Sequence, residues 1–278
     1  MAGWINAGIA AVKFARLMHA GRERYGVVEA DQIVPIEGTP FGEWRRGHER
    51  LPLTGTRLEV PVVPQNFLAV GMNYAEHVRE RARRTGVEPD LPARPEPGYR
   101  SVSALTAAGD PIVLPPDTDT VQYEGELVVV IGKRVKHVSE ADALDCVLGY
   151  TIGNDISERR WQKSDRTFWR CKNSDTFKPM GPWIETDVEL DSLRTTVRVN
   201  GEVRIEFATN HMLFGVARFI ATITQYITLH PGDVIWMGTE GAARDLHPGD
   251  VVEVEISSIG TLRNPVVAAP RGTGGQGG

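Results

Sequence analysis

Apolar and polar residues alternate through "RYGVVEADQIVPIEG", and the alternation breaks near Asp31, which predicts two strands joined as a hairpin. A second hairpin is predicted for "LRTTVRVNGEVRIEF", where Asn200-Gly201 supplies the positive-φ positions of a tight turn. The run "LVVVIG" from Leu127 is apolar without alternation, as in a strand buried on both faces. The period changes in "HMLFGVARFIATITQYITL", where apolar residues recur at helical spacing. "EADALDCVLGYTIGNDIS" reads as a short amphipathic helix leading into a strand. Two copies of His-Pro-Gly-Asp, from His230 and His247, each feed a strand. Pro then Gly suits the centre of a type II turn, so these histidines are read as turn residues, with metal ligation the alternative.

This pattern divides the chain. Residues 1–63 are predicted as a small β domain, with a boundary near Pro64, and residues 64–269 as a larger second domain. The tail, 270–278, is rich in Gly and should be disordered. Residues 81–100, "RARRTGVEPDLPARPEPGYR", hold much Arg and Pro and little to bury, so they are expected to be a mobile surface segment.

Composition narrows the class. The 278 residues are 41% hydrophobic and 24% charged, as in ordinary globular proteins. A net charge of -5 argues against nucleic acid as the main partner. No apolar run approaches the ~20 residues that span a bilayer. The N-terminus lacks the basic leading segment of a signal peptide. Cys146 and Cys171 are expected to be reduced thiols of a cytoplasmic protein.

The candidate chemistry centres on "VQYEGELVVVIGK". If Tyr123 to Gly132 is a strand, Glu124 and Glu126 share a face. Two ionised carboxylates buried together require a raised pKa, a basic partner or a metal ion; the alternative is a solvated strand end. Asp155, in "GYTIGNDISERRWQ", follows a predicted strand. It would either cap the next helix or add a third carboxylate to an all-oxygen site for a hard divalent ion, Mg2+ foremost, with Mn2+ or Ca2+ possible. In "NYAEHVRE", Asn73 and Glu76 form a potential capping box. His77 and Glu80 are then three apart on one helical face, as an imidazole backed by a carboxylate or as a fortuitous surface pair.

These stretches, with "FLAVGMNYAEHVRE", "SALTAAGDPIVLP", "KNSDTFKPMGPWI", "PGDVIWMGTEG" and "PGDVVEVEISSIGTLRNPV", resemble the fumarylacetoacetate hydrolase family, in the family's order over roughly residues 64–267. The resemblance implies an α+β, mainly β fold, a mixed β-sandwich roll preceded by a small N-terminal β domain. It implies a divalent ion on Glu124, Glu126 and Asp155, and a water-activating or proton-relaying pair in His77 and Glu80. Lys172 would lie near the reacting carbonyl, with Tyr74, Arg100, Arg159, Gln162 and Thr239 on the substrate. Members commonly pair, so a homodimer is expected.

Two departures bear on substrate choice. Where many relatives have Lys-Pro, this chain has Arg100-Ser101, and an arginine grips a carboxylate at two points. The usual Gly-Thr-Pro is Gly-Thr-Glu here, which brings Glu240 toward the pocket. The family's substrates share a 2-oxo acid or β-dicarbonyl unit and a common enolate. The leading expectation is C–C bond hydrolysis of an acylpyruvate-like or fumarylpyruvate-like acid in aromatic catabolism. The alternative is isomerisation or decarboxylation of a muconate-derived or oxaloacetate-like acid, and a third is a non-catalytic binder of small acids.

Overall fold

The computed structural model describes residues 11–241 and 243–270, with Arg81, Arg84 and Thr85 described as backbone alone. The predicted tail 270–278, apart from Pro270, and the apolar start of the chain lie outside the described residues. Both hairpins form. Arg22–Glu29 and Gln32–Gly38 pair antiparallel and close at Glu29 and Gln32. Arg194–Val199 and Glu202–Ala208 pair around Asn200-Gly201, whose φ values of +55° and +80° suit this turn.

Twelve strands make one mixed sheet. Its centre runs Lys178–Glu185, Val147–Asn154, Gly125–Ile131, Val234–Trp236 and Phe67–Val70. The N-terminal strands continue the same sheet, because Lys13–His19 pairs with Lys178–Glu185 at Lys13↔Glu185 and Phe14↔Ile184. A second sheet of five strands includes Arg194–Val199, Val251–Ile256 and Gly260–Ala268. The fold is thus mainly β with mixed pairing. Four α-helices occur among the described residues: Ala75–Thr85, Arg159–Ser164, Trp169–Asn173 and Val216–Tyr226. None is long and apolar enough to cross a membrane.

The strand Gly125–Ile131 is buried on both faces, as its unbroken apolar run requires. Leu127, Val129 and Ile131 join a core with Val197 and Val254 of the five-stranded sheet. Val128 and Val130 join a second core with Phe67, Trp44 and Trp236. Each such side chain contributes about 1.5–3 kcal/mol on burial, so the strand is held firmly where it delivers its carboxylates. In both His-Pro-Gly-Asp turns the His backbone N–H donates to the Asp carboxylate, at 2.8 Å for His230 to Asp233 and 2.8 Å for His247 to Asp250.

Candidate metal centre

The carboxylates meet because two strands end together. Gly125–Ile131 pairs with Val147–Asn154 through Gly125↔Asn154 and Glu126↔Gly153. Glu124 immediately precedes the first strand and Asp155 immediately follows the second. The Asp155 N–H donates to the Glu124 carbonyl at 2.8 Å, and the Glu124 N–H donates to the Asn154 side chain at 3.0 Å. Glu124 therefore lies one residue outside the regular strand predicted from Tyr123. One oxygen from each of Glu124, Glu126 and Asp155 lies within 4.8 Å of the others, and all three residues are buried. Glycine is required opposite: a Cβ on Gly153 would come within 2.6 Å of the Trp236 ring. Asp155 is not a helix cap, because Glu158 caps Arg159–Ser164 by accepting the Trp161 N–H.

Four cations surround the three carboxylates. Lys172 Nζ lies 2.6 Å from Glu124 Oε2 and 2.9 Å from Asp155 Oδ2. Arg100 reaches Asp155 Oδ2 at 3.2 Å, Arg159 reaches Glu124 Oε1 at 2.6 Å, and Lys178 Nζ lies 2.6 Å from Asp155 Oδ1. Burial works against ionising Glu124, but Arg159 and Lys172 outweigh it and bring its pKa down to about 2. The same contest holds Asp155 well below the carboxylate range, with Lys172, Lys178 and Arg100 prevailing over burial. Glu126 goes the other way: burial and the charges of Asp155 and Glu124 push it well above its ordinary value. Its Oε2 accepts the Gly238 N–H at 2.8 Å, and no ion pair forms on it among the described residues. A hard oxygen donor set with one carboxylate short of positive charge fits a divalent cation, and the triad could hold one.

His77 enters from the first turn of the helix Ala75–Thr85. Its Nδ1 lies 3.1 Å from the Gly241 carbonyl. A carbonyl only accepts, so Nδ1 carries the proton and Nε2 is the accepting nitrogen. Burial pushes the imidazole pKa down, opposed by the Glu124 carboxylate and the Gly241 carbonyl. One short loop serves both groups, since Gly238 donates to Glu126 and Gly241 accepts from His77. Its glycines stand at φ +85° and +86°, where a side chain would be strained.

Three expectations, two from the local sequence and one from the resemblance, are corrected. Glu80 does not back His77: its carboxylate bonds the Arg83 guanidinium at 2.7 and 3.0 Å, three residues on along the helix. Tyr74 is not available to substrate, because it is wholly buried against Phe207 and its hydroxyl donates to the Thr209 carbonyl at 2.6 Å. Asn73 caps no helix; its side chain bonds the Phe214 and Met237 carbonyls and accepts the Phe214 N–H.

Arg159 belongs to the site but is braced. Its Nε donates to Gln122 and its Nη1 to Gln162, both at 2.9 Å, so Gln162 meets the centre through Arg159. Thr239 is buried between Gly238 and Glu240, and burial raises the Glu240 pKa, opposed by His211 and reinforced by Glu76. Sequence reasoning missed Lys178, Gln122 and the backbone groups of Gly238 and Gly241. Lys178 left one signal, a lysine heading the apolar run "KPMGPWI".

Two packed mixed sheets enclose a buried cluster of three carboxylates that could hold a cation, ringed by Lys and Arg. The chain belongs to the fumarylacetoacetate hydrolase family: the family described as "Fumarylacetoacetate (FAA) hydrolase C-terminal" matches residues 66–267, and "Rv2993c-like, N-terminal" matches residues 12–61. It is 38% identical to Protein Rv2993c of Mycobacterium tuberculosis over 82% of this chain and 85% of that protein. It is 38% identical to the mitochondrial oxaloacetate tautomerase FAHD2A of Bos taurus over 78% of this chain and 71% of that protein. The crystal structure of 5-carboxymethyl-2-hydroxymuconate delta-isomerase from Mycobacterium smegmatis matches with a TM-score of 0.84 and 36% identity, over 92% of this chain and 100% of that one.

Proposed function

We propose that the protein is a divalent-metal-dependent isomerase that moves a proton on a 2-oxo dicarboxylic acid, a keto–enol tautomerase of the oxaloacetate type. Glu124, Glu126 and Asp155 would hold the ion, with Mg2+ preferred. The observation that carries this reading is the setting of His77. Its Nδ1 is tied to a backbone carbonyl, its Nε2 is the accepting atom, and no carboxylate is hydrogen-bonded to the ring among the described residues. Such a base suits removal of a proton already acidified by a neighbouring carbonyl. It suits less well the activation of water that C–C bond hydrolysis requires, which places the hydrolase reading second. The names of the tautomerase and isomerase relatives support the same order.

A divalent ion on the triad would supply the positive charge that favours an enolate. The residues then divide the work. His77 Nε2 takes the proton from carbon and returns it. Lys172 and Arg100, both on Asp155 Oδ2, offer positive charge to the substrate's oxygens. Arg100 Nε is buried and makes no hydrogen bond among the described residues, so part of its fork remains for a carboxylate. The protein would act as a cytoplasmic homodimer.

The test supplies enol-oxaloacetate with Mg2+ and follows loss of enol absorbance, while pyruvate is measured alongside. Accelerated ketonisation without pyruvate, abolished by EDTA, is expected. Faster cleavage of an acylpyruvate would restore the hydrolase reading, and pyruvate release would mark a decarboxylase. Oxalate binding with no turnover at all would mark a binder.

A further inference from the structure

We propose that Lys178 is a positioning residue that pins one oxygen of Asp155, so that the centre takes a single oxygen from each carboxylate and prefers a small six-coordinate cation to calcium. This rests on the metal-site reading above and adds a residue and a selectivity to it.

Lys178 heads the strand Lys178–Glu185 and is wholly buried. Leaving a charged ammonium there is costly unless its hydrogen bonds are met. Two are met by carbonyls, Ile156 at 3.0 Å and Phe177 at 2.9 Å, and Nζ lies beside Asp155 Oδ1 as an ion pair at 2.6 Å, off hydrogen-bond alignment. Of the three donors of an ammonium, two are committed to carbonyls, which hold Nζ in place against Asp155 Oδ1. Lys172 and Arg100 lie instead on the other oxygen, Oδ2.

The same division recurs on the other two carboxylates. Glu126 gives Oε2 to the backbone N–H of Gly238. Glu124 gives Oε1 to Arg159, whose guanidinium is braced by Gln122 and Gln162. Each carboxylate thus has one oxygen on a braced donor, while the other carries Lys172 and Arg100 on Asp155, Lys172 on Glu124, and no ion pair on Glu126 among the described residues. Magnesium needs near-ideal octahedral geometry and commonly uses one oxygen per carboxylate. Calcium takes six to eight oxygens and often both oxygens of a carboxylate. Freeing Asp155 Oδ1 would open the bidentate mode that favours calcium.

Lys178 also carries charge, and charge alone repels both ions. That effect is shared by two divalent cations, so it cancels in the ratio of their affinities and leaves the geometric part. The experiment is calorimetric titration of the chelator-treated full chain with MgCl2 and with CaCl2, for the wild type and for Lys178→Met. The wild type should bind Mg2+ more tightly than Ca2+. Lys178→Met should move the ratio toward Ca2+ by about tenfold or more, the scale on which outer partners of metal ligands act. An unchanged ratio in a variant that keeps the wild-type circular dichroism overturns the proposal. Should the variant fail to fold, the wild-type pair decides: Ca2+ binding as tight as Mg2+ overturns it, and a Mg2+ preference supports it. If neither ion binds the wild type, the metal reading itself falls, and this proposal with it.

Discussion

Lys172 Nζ lies 2.6 Å from Glu124 Oε2, and from that position it also reaches Asp155 Oδ2 at 2.9 Å. Its charge therefore sits on two of the oxygens that a divalent ion would share. Like charges a few ångströms apart repel by roughly 4 kcal/mol at an effective dielectric near 20. Lys172→Met should accordingly strengthen Mg2+ binding several-fold. Turnover should fall by about 100-fold, because a positive group aimed at the developing oxyanion is lost. Titration calorimetry and the enol assay read the two effects separately. Weaker Mg2+ binding would show that Lys172 orients the carboxylates rather than opposing the ion.

The helix Ala75–Thr85 makes a second contrast testable. His77 and Glu80 share a helical turn, yet Glu80 bonds Arg83 and His77 bonds Gly241. Exposed ion pairs such as Glu80–Arg83 are worth at most about 1 kcal/mol. Glu80→Ala should therefore leave kcat within a few-fold of wild type. His77→Ala should lower kcat by ~100-fold or more while Mg2+ affinity stays intact, as for loss of a general base. A loss in Glu80→Ala as deep as in His77→Ala would reinstate the carboxylate-backed base.

Much of this was legible in the sequence, and the physics explains which parts. Alternation marks a strand because one face is wet, so the hairpins at Ala30-Asp31 and Asn200-Gly201 could be read directly. Unbroken apolarity marked Gly125–Ile131 as buried on both sides, and two glutamates at its mouth were conspicuous for that reason. Asp155 required a long-range pairing, Gly125↔Asn154, that spacing alone does not reveal. Glu80 was misread because helical spacing says which residues are neighbours, not which neighbour a flexible side chain prefers, and Tyr74, placed on the substrate by the family resemblance alone, is taken up by a distant backbone carbonyl. Arg83 competes for Glu80 from the same helix, and the Thr209 carbonyl takes the Tyr74 hydroxyl from 135 residues away. Backbone donors such as the Gly238 N–H carry no side-chain signature at all. Continuation of the large sheet into the N-terminal strands rests on two register pairs, Lys13↔Glu185 and Phe14↔Ile184, which no local pattern encodes.

The last prediction concerns motion over the site. The helix that carries His77 ends at Gly86, which stands in the left-handed region and donates its N–H to the Ala82 carbonyl. The chain then runs largely exposed and without regular structure until Pro97–Tyr99 docks on Phe67–Val70. At its other end the helix is anchored firmly, with Tyr74 and Val78 buried and Asn73 bonded to Met237. An element fixed at one end and loose at the other pivots rather than unfolds. Closing about the fixed end would bring the far end of the helix and the segment after it over a bound 2-oxo acid, with His77 held in place, and exclude water, which strengthens the charge interactions inside. Hydrogen exchange should therefore slow across residues 77–96 when Mg2+ and oxalate are added together, by about tenfold at the helix amides, a local opening cost of ~1.4 kcal/mol. Mg2+ alone should do much less, because the triad that would hold the ion stands at the strand ends and not on the helix. Equal exchange with and without oxalate would show that the segment is static.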